Sequence, residues 1–268
     1  MILFLIVPVI LAALYLLAIR GRKGHPGLQA LQGWFYAHRG LHNADRPENS
    51  MAAFRAARDA GYGIELDIHL LKDGNLAVIH DSSLKRTTGA EGRVEDLTTE
   101  ELTKYHLEGT QETIPTFRQV LDLYAGKAPL IVELKAVGGN HAALAKAACD
   151  MLDTYDGPYC IESFDPRCIH WLKKNRPDLI RGQLIENTIG KKMSFAWYLR
   201  WIMTLQLTNF LTKPDFVAHK FVDRKFISNT LVHSFWKIQG VAWTLKTKEE
   251  FDAAVKEGYL PIFERFIP

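Results

Sequence analysis

Glu65 and Asp67 stand two residues apart in the stretch Gly63 to His69, so on a strand their side chains leave the same face. Two carboxylates crowded at one spot repel each other unless a cation joins them, and a divalent ion with oxygen ligands is the natural partner. Glu133 ends the apolar run LIVEL and supplies the third carboxylate such a site needs, while Lys135 shares its face by the same spacing. Taken singly, each acid fits a helix cap or a surface ion pair equally well. Together at the C-terminal ends of barrel strands, they read as a hard-metal site. His38 in FYAHRG and His80 in LAVIHD also close apolar runs. An isolated histidine in that position is commonly structural, but Arg39 follows the first and Asp81 the second. That pattern points to a general acid and a general base flanking a phosphate held by the planar fork of Arg39, and hence to a phosphodiester.

The elements that must position these groups follow from length and patterning. A chain of 268 residues matches a single α/β barrel, which takes about 250. Its 47% hydrophobic and 24% charged residues place it among globular proteins. A net charge of +3, from 33 Lys+Arg against 30 Asp+Glu, is too small and too dispersed for a nucleic-acid partner. Cys149, Cys160 and Cys168 form no CxxC pair, which excludes a secreted disulfide framework and favours a reducing compartment. Short apolar runs alternate with helical patterns, the signature of repeated βα units. Strands are predicted at Phe35 to Ala37, Ile64 to Ile68, Ala77 to Ile79, Leu130 to Glu133, Cys160 to Ser163, Arg181 to Ile185, Phe216 to Ala218, Val241 to Thr244 and Leu260 to Phe263. These are nine for eight places, with Ala77 to Ile79 the candidate extra. Ser50, Thr98 or Thr99, and Thr116 are placed to cap helices. Lys85 to Thr113, rich in Thr, Gly and Glu, reads as an insertion outside the regular alternation.

The N-terminus is of another kind. Met1 to Ile19 carries no charged side chain and would span roughly 28 Å as a helix at about 1.5 Å per residue. With no basic stretch before it and no small-residue cleavage site after it, the run reads as an uncleaved, single-pass transmembrane anchor over residues 1–20. Arg20, Arg22 and Lys23 follow it, so the positive-inside tendency places the remainder of the chain in the cytoplasm at the cell membrane. A linker over 21–33 then leads into a catalytic domain over 34–268. Between Lys192 and Lys213 a second apolar segment, with Phe195, Trp197, Tyr198, Trp201, Phe210 and Leu211, reads either as barrel helix and core or as a monotopic element at 193–212 lying against lipid.

The motifs HRG (His38 to Gly40), PENS (Pro47 to Ser50), ExD (Glu65, Asp67), VIHD (Val78 to Asp81), LKRTTG (Leu84 to Gly89), VELK (Val132 to Lys135), ESFDP (Glu162 to Pro166) and AWT (Ala242 to Thr244) occur in order. In this the chain resembles the glycerophosphodiester phosphodiesterase family from about Trp34 to its end, most specifically between His38 and Lys135. The resemblance implies a TIM-type (β/α)8 barrel with a small insertion near 85–113. It also implies hydrolysis of glycerophosphodiesters, lysophospholipids included, to glycerol phosphate and an alcohol, with one divalent metal, usually magnesium or calcium. Carried over by motif, His38 and His80 are the acid/base pair, Glu65, Asp67 and Glu133 the metal ligands, and Arg39 and Lys135 the phosphate contacts. Glu48 and Asn49 of the PEN motif would line the site, and Trp243 would face the glycerol or the leaving group. Where the family ends in a Gly-Val-Asp-Gly strand and a Thr-Asp pair, this chain reads GYLPIFERFIP, so the eighth unit is altered near Glu264. A catalytically silent barrel binding a phosphorylated ligand, or a related phospholipase acting on another headgroup, are the alternatives. The alcohol on the far side of the diester is left open.

Overall fold

A computed structural model describes residues 2–191 and 196–268. Among the described residues the strands are β1 (Tyr36–His38), β2 (Gly63–Leu70), β3 (Leu76–Val78), β4 (Leu130–Leu134), β5 (Tyr159–Ser163), β6 (Arg181–Ile185), β7 (Phe216–Lys220), β8 (Gln239–Leu245) and β9 (Leu260–Phe263). All but β3 run parallel and close a barrel, with β1 paired to both β2 and β9. β3 lies antiparallel on the upper half of β2 and is the extra strand expected near Ala77 to Ile79. The helices are α1 (Ile2–Ala18), α2 (Met51–Asp59), α3 (Lys85–Thr88), α4 (Phe117–Tyr124), α5 (His141–Leu152), α6 (Pro166–Asn175), α7 (Trp197–Thr204), α8 (Asn209–Thr212), α9 (Ile227–Thr230) and α10 (Lys248–Lys256).

Strand alternation explains how an apolar chain delivers acids to one place. On β2, Ile64, Leu66 and Ile68 face outward and pack against Phe54 of α2 and Phe117 and Val120 of α4. Burying a Phe-sized side chain is worth roughly 1.5–3 kcal/mol, so this outward face is what fixes the register. The intervening residues, Glu65 and Asp67, must then point into the barrel. β4 repeats the pattern, with Leu130, Val132 and Leu134 outside and Glu133 inside. The caps expected for α2 and α4 are present: the Ser50 hydroxyl accepts from the Ala53 amide, and Thr116 and Gln119 form a capping box. The segment 85–113 builds a small core by packing Val94, Leu97, Leu102 and Leu107 with Leu84 and Ile79. It is pinned to the barrel by Glu95, which accepts from His69 Nδ1 at 2.7 Å and from the Ser82 hydroxyl.

The N-terminal expectation needs correction. Among the described residues no helix is long and apolar enough to cross a membrane. α1 has 17 residues, about 26 Å at ~1.5 Å per residue, against a hydrocarbon core of about 30 Å. The fold takes up the end of the apolar run. Ile19 is fully buried among Ile185, Val217, Val232 and Ile238, the Leu16 carbonyl accepts from Trp236 Nε1 at 2.9 Å, and the Tyr15 hydroxyl donates to the Leu205 carbonyl. Of the basic cluster behind it, Arg22 is engaged in a bidentate pair with the buried Asp215. Residues 21–33, expected as a linker, are packed: a 3₁₀ turn at Pro26–Leu31 buries Leu31 beside Tyr36 and Phe216 at the N-terminal mouth of the barrel. Met1 of the expected anchor and 193–195 of the expected lipid-facing segment lie outside the described residues.

Candidate active site

The inward residues at the C-terminal strand ends converge. Parallel register sets His38 beside Glu65, Asp67 beside Glu133, and Glu133 beside Glu162. Ligand oxygens of Glu65, Asp67 and Glu133 all lie within 4.8 Å of one another, and all three residues are buried. The Lys135 ammonium sits 2.7 Å from Glu133 and 3.0 Å from Asp67, and Arg39 Nε lies 3.3 Å from Asp67. His38, Arg39, Glu65, His80, Glu133, Glu162, Phe164 and Trp243 together line a cavity of about 50 Å³. All the candidate site residues are therefore in one place.

Burial and like charge both push these carboxyls up, and the neighbouring cations push them down. Burial, together with Asp67 and Glu133, holds the Glu65 carboxyl well above the usual range. Glu133 is pushed up to about 7, chiefly by burial. Burial would raise Asp67 as well, but Lys135 and Arg39 outweigh it and keep that carboxyl well below its ordinary value. Lys135 is the cation beside Asp67 Oδ1, and Glu162 Oε2 is buried with no hydrogen-bond partner among the described residues. A crowded, buried, oxygen-only donor set with acceptors to spare suits a hard divalent cation.

Each histidine is oriented by a carboxylate. Glu264 Oε2 lies 2.7 Å from His38 Nδ1, and Asp81 Oδ1 lies 2.6 Å from His80 Nδ1. Pairing with His38 brings the Glu264 carboxyl down to about 2 against the opposing effect of burial, so it is ionised and can only accept. His38 Nδ1 therefore carries the proton, which leaves Nε2, 3.8 Å from Glu65, to meet substrate. Burial lowers the pKa of both histidines. Backbone geometry completes the arrangement. Arg39 and Asn49 adopt left-handed conformations at φ 54 and φ 56, and the Asn49 amide donates to Asp67 Oδ2 at 2.9 Å. Such backbone conformations concentrate at functional sites. Gly40 of HRG has φ 82, and a Cβ there would lie 2.8 Å from the Ala53 backbone. Only glycine lets this turn approach α2 so closely. Glu48 bridges Arg39 to Arg86 of α3, and Arg86 also holds Asp81, so the insertion braces the partner of His80 and the arginine next to His38.

Four contributors went unassigned in the sequence. Glu162 could have been found, because it ends an apolar strand just as Glu133 does. Asp81 was visible as the neighbour of His80. Arg86 had no local signal, and Glu264 was marked only as lying in the altered eighth unit, with no role assigned. The altered eighth unit, where the family pattern fails, is the unit that brings Glu264 to His38. Because Glu264 raises the pKa of His38, Glu264→Gln is expected to move the limb of the kcat/KM pH profile that belongs to His38 to lower pH, whichever proton His38 handles. A loss of about tenfold in kcat should accompany that shift, with Glu264→Asp restoring part of it. An unchanged profile would show that the carboxylate does not tune the imidazole.

A model of the "Glycerophosphoryl diester phosphodiesterase family" matches residues 38–264. A glycerophosphodiester phosphodiesterase of Caldanaerobacter subterraneus subsp. tengcongensis is 31% identical over 236 residues, covering 83% of this chain and 89% of the relative. Glycerophosphodiester phosphodiesterase 1 of Rattus norvegicus is 29% identical over 80% of this chain and 72% of its own length. Among solved structures, an Oleispira antarctica phosphodiesterase in complex with the product sn-glycerol-3-phosphate superposes with a TM-score of 0.71 at 22% identity, covering 91% of this chain and 95% of that one.

Proposed function

Because this chain belongs to the glycerophosphoryl diester phosphodiesterase family and is a glycerophosphodiester phosphodiesterase, we propose that it hydrolyses glycerophosphodiesters, lysophospholipids among them, at the cytoplasmic face of the cell membrane. His38 and His80 act as the acid/base pair on either side of a divalent-cation site made by Glu65, Asp67 and Glu133, and the products are glycerol phosphate and an alcohol. The observation that carries this is the set of three buried carboxylates within 4.8 Å, flanked by two imidazoles each held by its own carboxylate. Bound there, a magnesium or calcium ion supplies electrostatic stabilisation of the phosphoryl charge that grows in the transition state.

The protein's own groups do the rest. Arg39 and Lys135 face the phosphate oxygens and offset their charge. The Nε2 of one histidine takes a proton from the nucleophile, water or the glycerol's own 2-hydroxyl, as the new P–O bond forms, and the other protonates the alkoxide as the old P–O bond breaks; where the 2-hydroxyl attacks, water then opens the cyclic phosphate to glycerol phosphate. Glu264 and Asp81 keep each ring in the tautomer that exposes Nε2. Trp243, edge-on to Phe164 at 5.8 Å between centroids, walls the side where the glycerol or leaving group sits. Product recognition in the Oleispira relative supports a small phosphodiester as substrate. Exposed Val9, Ile10, Leu11 and Leu14 on α1 support attachment to the membrane. The three cysteines, all free and buried, support a reducing side.

The test is a turnover assay with glycerophosphocholine, glycerophosphoethanolamine, glycerophosphoglycerol, glycerophosphoinositol and lysophospholipids. Each is run in EDTA and then with magnesium, calcium or manganese. Glycerol phosphate is expected to appear only when metal is added. Release of a phosphorylated headgroup instead would assign the chain to a related phospholipase reaction, and ligand binding without any turnover would make it a silent barrel.

A further inference from the structure

The root of α1 is ringed by exposed aromatic and aliphatic side chains that the catalytic machinery does not use. Trp197 of α7 is 70% exposed and stands edge-on to Tyr198, and Trp201 lies one turn further along. On α8, Phe210 and Leu211 are exposed. In the turn after α9, Phe235 is exposed and stacks edge-on with Trp236 at 5.0 Å. These segments are tied to the helix itself: Tyr15 bonds to Leu205 just after α7, Asn209 of α8 donates to the Ile19 carbonyl at 3.1 Å, and Trp236 donates to Leu16. Exposed apolar side chains of the barrel thus lie on segments fastened directly to the base of α1.

Cations stand at its margin. The Arg20 guanidinium lies 5.0 Å over the Trp236 ring, Lys213 Nζ donates to the Arg20 carbonyl, and Lys173 Nζ donates to the Leu211 carbonyl at 2.8 Å. Trp and Tyr with an apolar body and a polar edge, flanked by long basic side chains, form the composition that partitions to the headgroup boundary of a bilayer. The adjacent positive charges select anionic lipid.

We propose that α7, α8 and the Phe235–Trp236 turn form an interfacial collar around the base of α1, and that this collar seats the barrel on an anionic phospholipid surface. The inference rests on the reading of the chain as membrane-attached and extends it, because it assigns lipid contact to the catalytic domain itself. α1 contains no tryptophan, so tryptophan fluorescence reports the collar separately from the helix.

The experiment uses the full chain bound to vesicles of phosphatidylcholine and phosphatidylglycerol whose acyl chains carry bromine near the headgroups. Quenching is expected relative to unbrominated vesicles, and W197F/W201F should lose more than about half of it. Replacing phosphatidylglycerol by phosphatidylcholine should weaken the quenching of the wild type. Hydrolysis of water-soluble glycerophosphocholine, measured in the same samples, should be the same for both proteins and separates a failed collar from a failed catalytic reading. Vesicle-bound wild type without quenching would overturn the proposal. So would equal quenching in W197F/W201F, or equal quenching in neutral and anionic vesicles. Conversion of a wild-type dimer in detergent to a monomer by W197F/W201F would assign the face to a second copy of the chain, and overturn it equally.

Discussion

His38→Ala and His80→Ala are each expected to lower kcat by about 10²–10⁴ while leaving the melting temperature nearly unchanged. Both rings lie at the ends of strands and contribute Nδ1 hydrogen bonds to Glu264 and Asp81, outside the packed clusters that hold the barrel together. Each is replaceable without opening the core. The two losses should differ in kind. A variant lacking the group that protonates the leaving alkoxide should recover part of its rate on diesters with more acidic leaving groups, and a variant lacking the base should not. Comparing kcat for a nitrophenyl phosphodiester with kcat for glycerophosphocholine in the two variants therefore assigns the roles. Near-normal turnover by either alanine variant on both substrates would refute the two-histidine mechanism.

Glu65→Gln is expected to abolish the response to metal and to cost about 10³-fold in turnover, because it removes one charged ligand of three and with it much of the electrostatic stabilisation of the phosphoryl transition state. Its effect on the metal-free protein runs the other way. Glu65 and Glu133 both have carboxyl pKa values raised by burial and by their neighbours. A carboxyl that holds its proton more tightly folded than unfolded stabilises the protein below the unfolded value, and that stability is lost as pH rises through the folded one. For Glu133 the window runs from 4.5 to about 7. The metal-free wild type should lose stability as pH rises through this range, and Glu65→Gln, with one charge fewer in the cluster, should lose less. Adding magnesium or calcium at a hundred times its dissociation constant should stabilise the wild type by about 2.7 kcal/mol and the variant by little. A variant that still shows the full metal-induced rise in melting temperature would exclude Glu65 from the ligand set.

Much of the site was legible because strand geometry is local. A period of two places Glu65 with Asp67 and Glu133 with Lys135 on common faces, whatever else the chain does. Apolar residues between them leave the barrel interior as the only destination for the acids. The capping residues Ser50 and Thr116 and the extra strand near Ala77 were readable for the same reason, since each depends on neighbours within a few positions. The HRG glycine was readable as part of a motif, though its cause, the close approach to Ala53, is tertiary.

Closure of the barrel decided the rest. Glu264 is 226 positions from His38 in the chain, and they meet only because β9 pairs with β1. Arg86 reaches Glu48 and Asp81 only once the insertion has packed beneath Ile79. The apolar N-terminal run illustrates the converse: hydropathy alone defined a stretch long enough to span a bilayer, but burial of Ile19 against β6, β7 and their loops drew its end into the domain. Periodicity and charge within a strand set which residues could do chemistry. Contacts between residues hundreds of positions apart, which cost chain entropy and form only when the whole sheet closes, set which of them are held ready to do it.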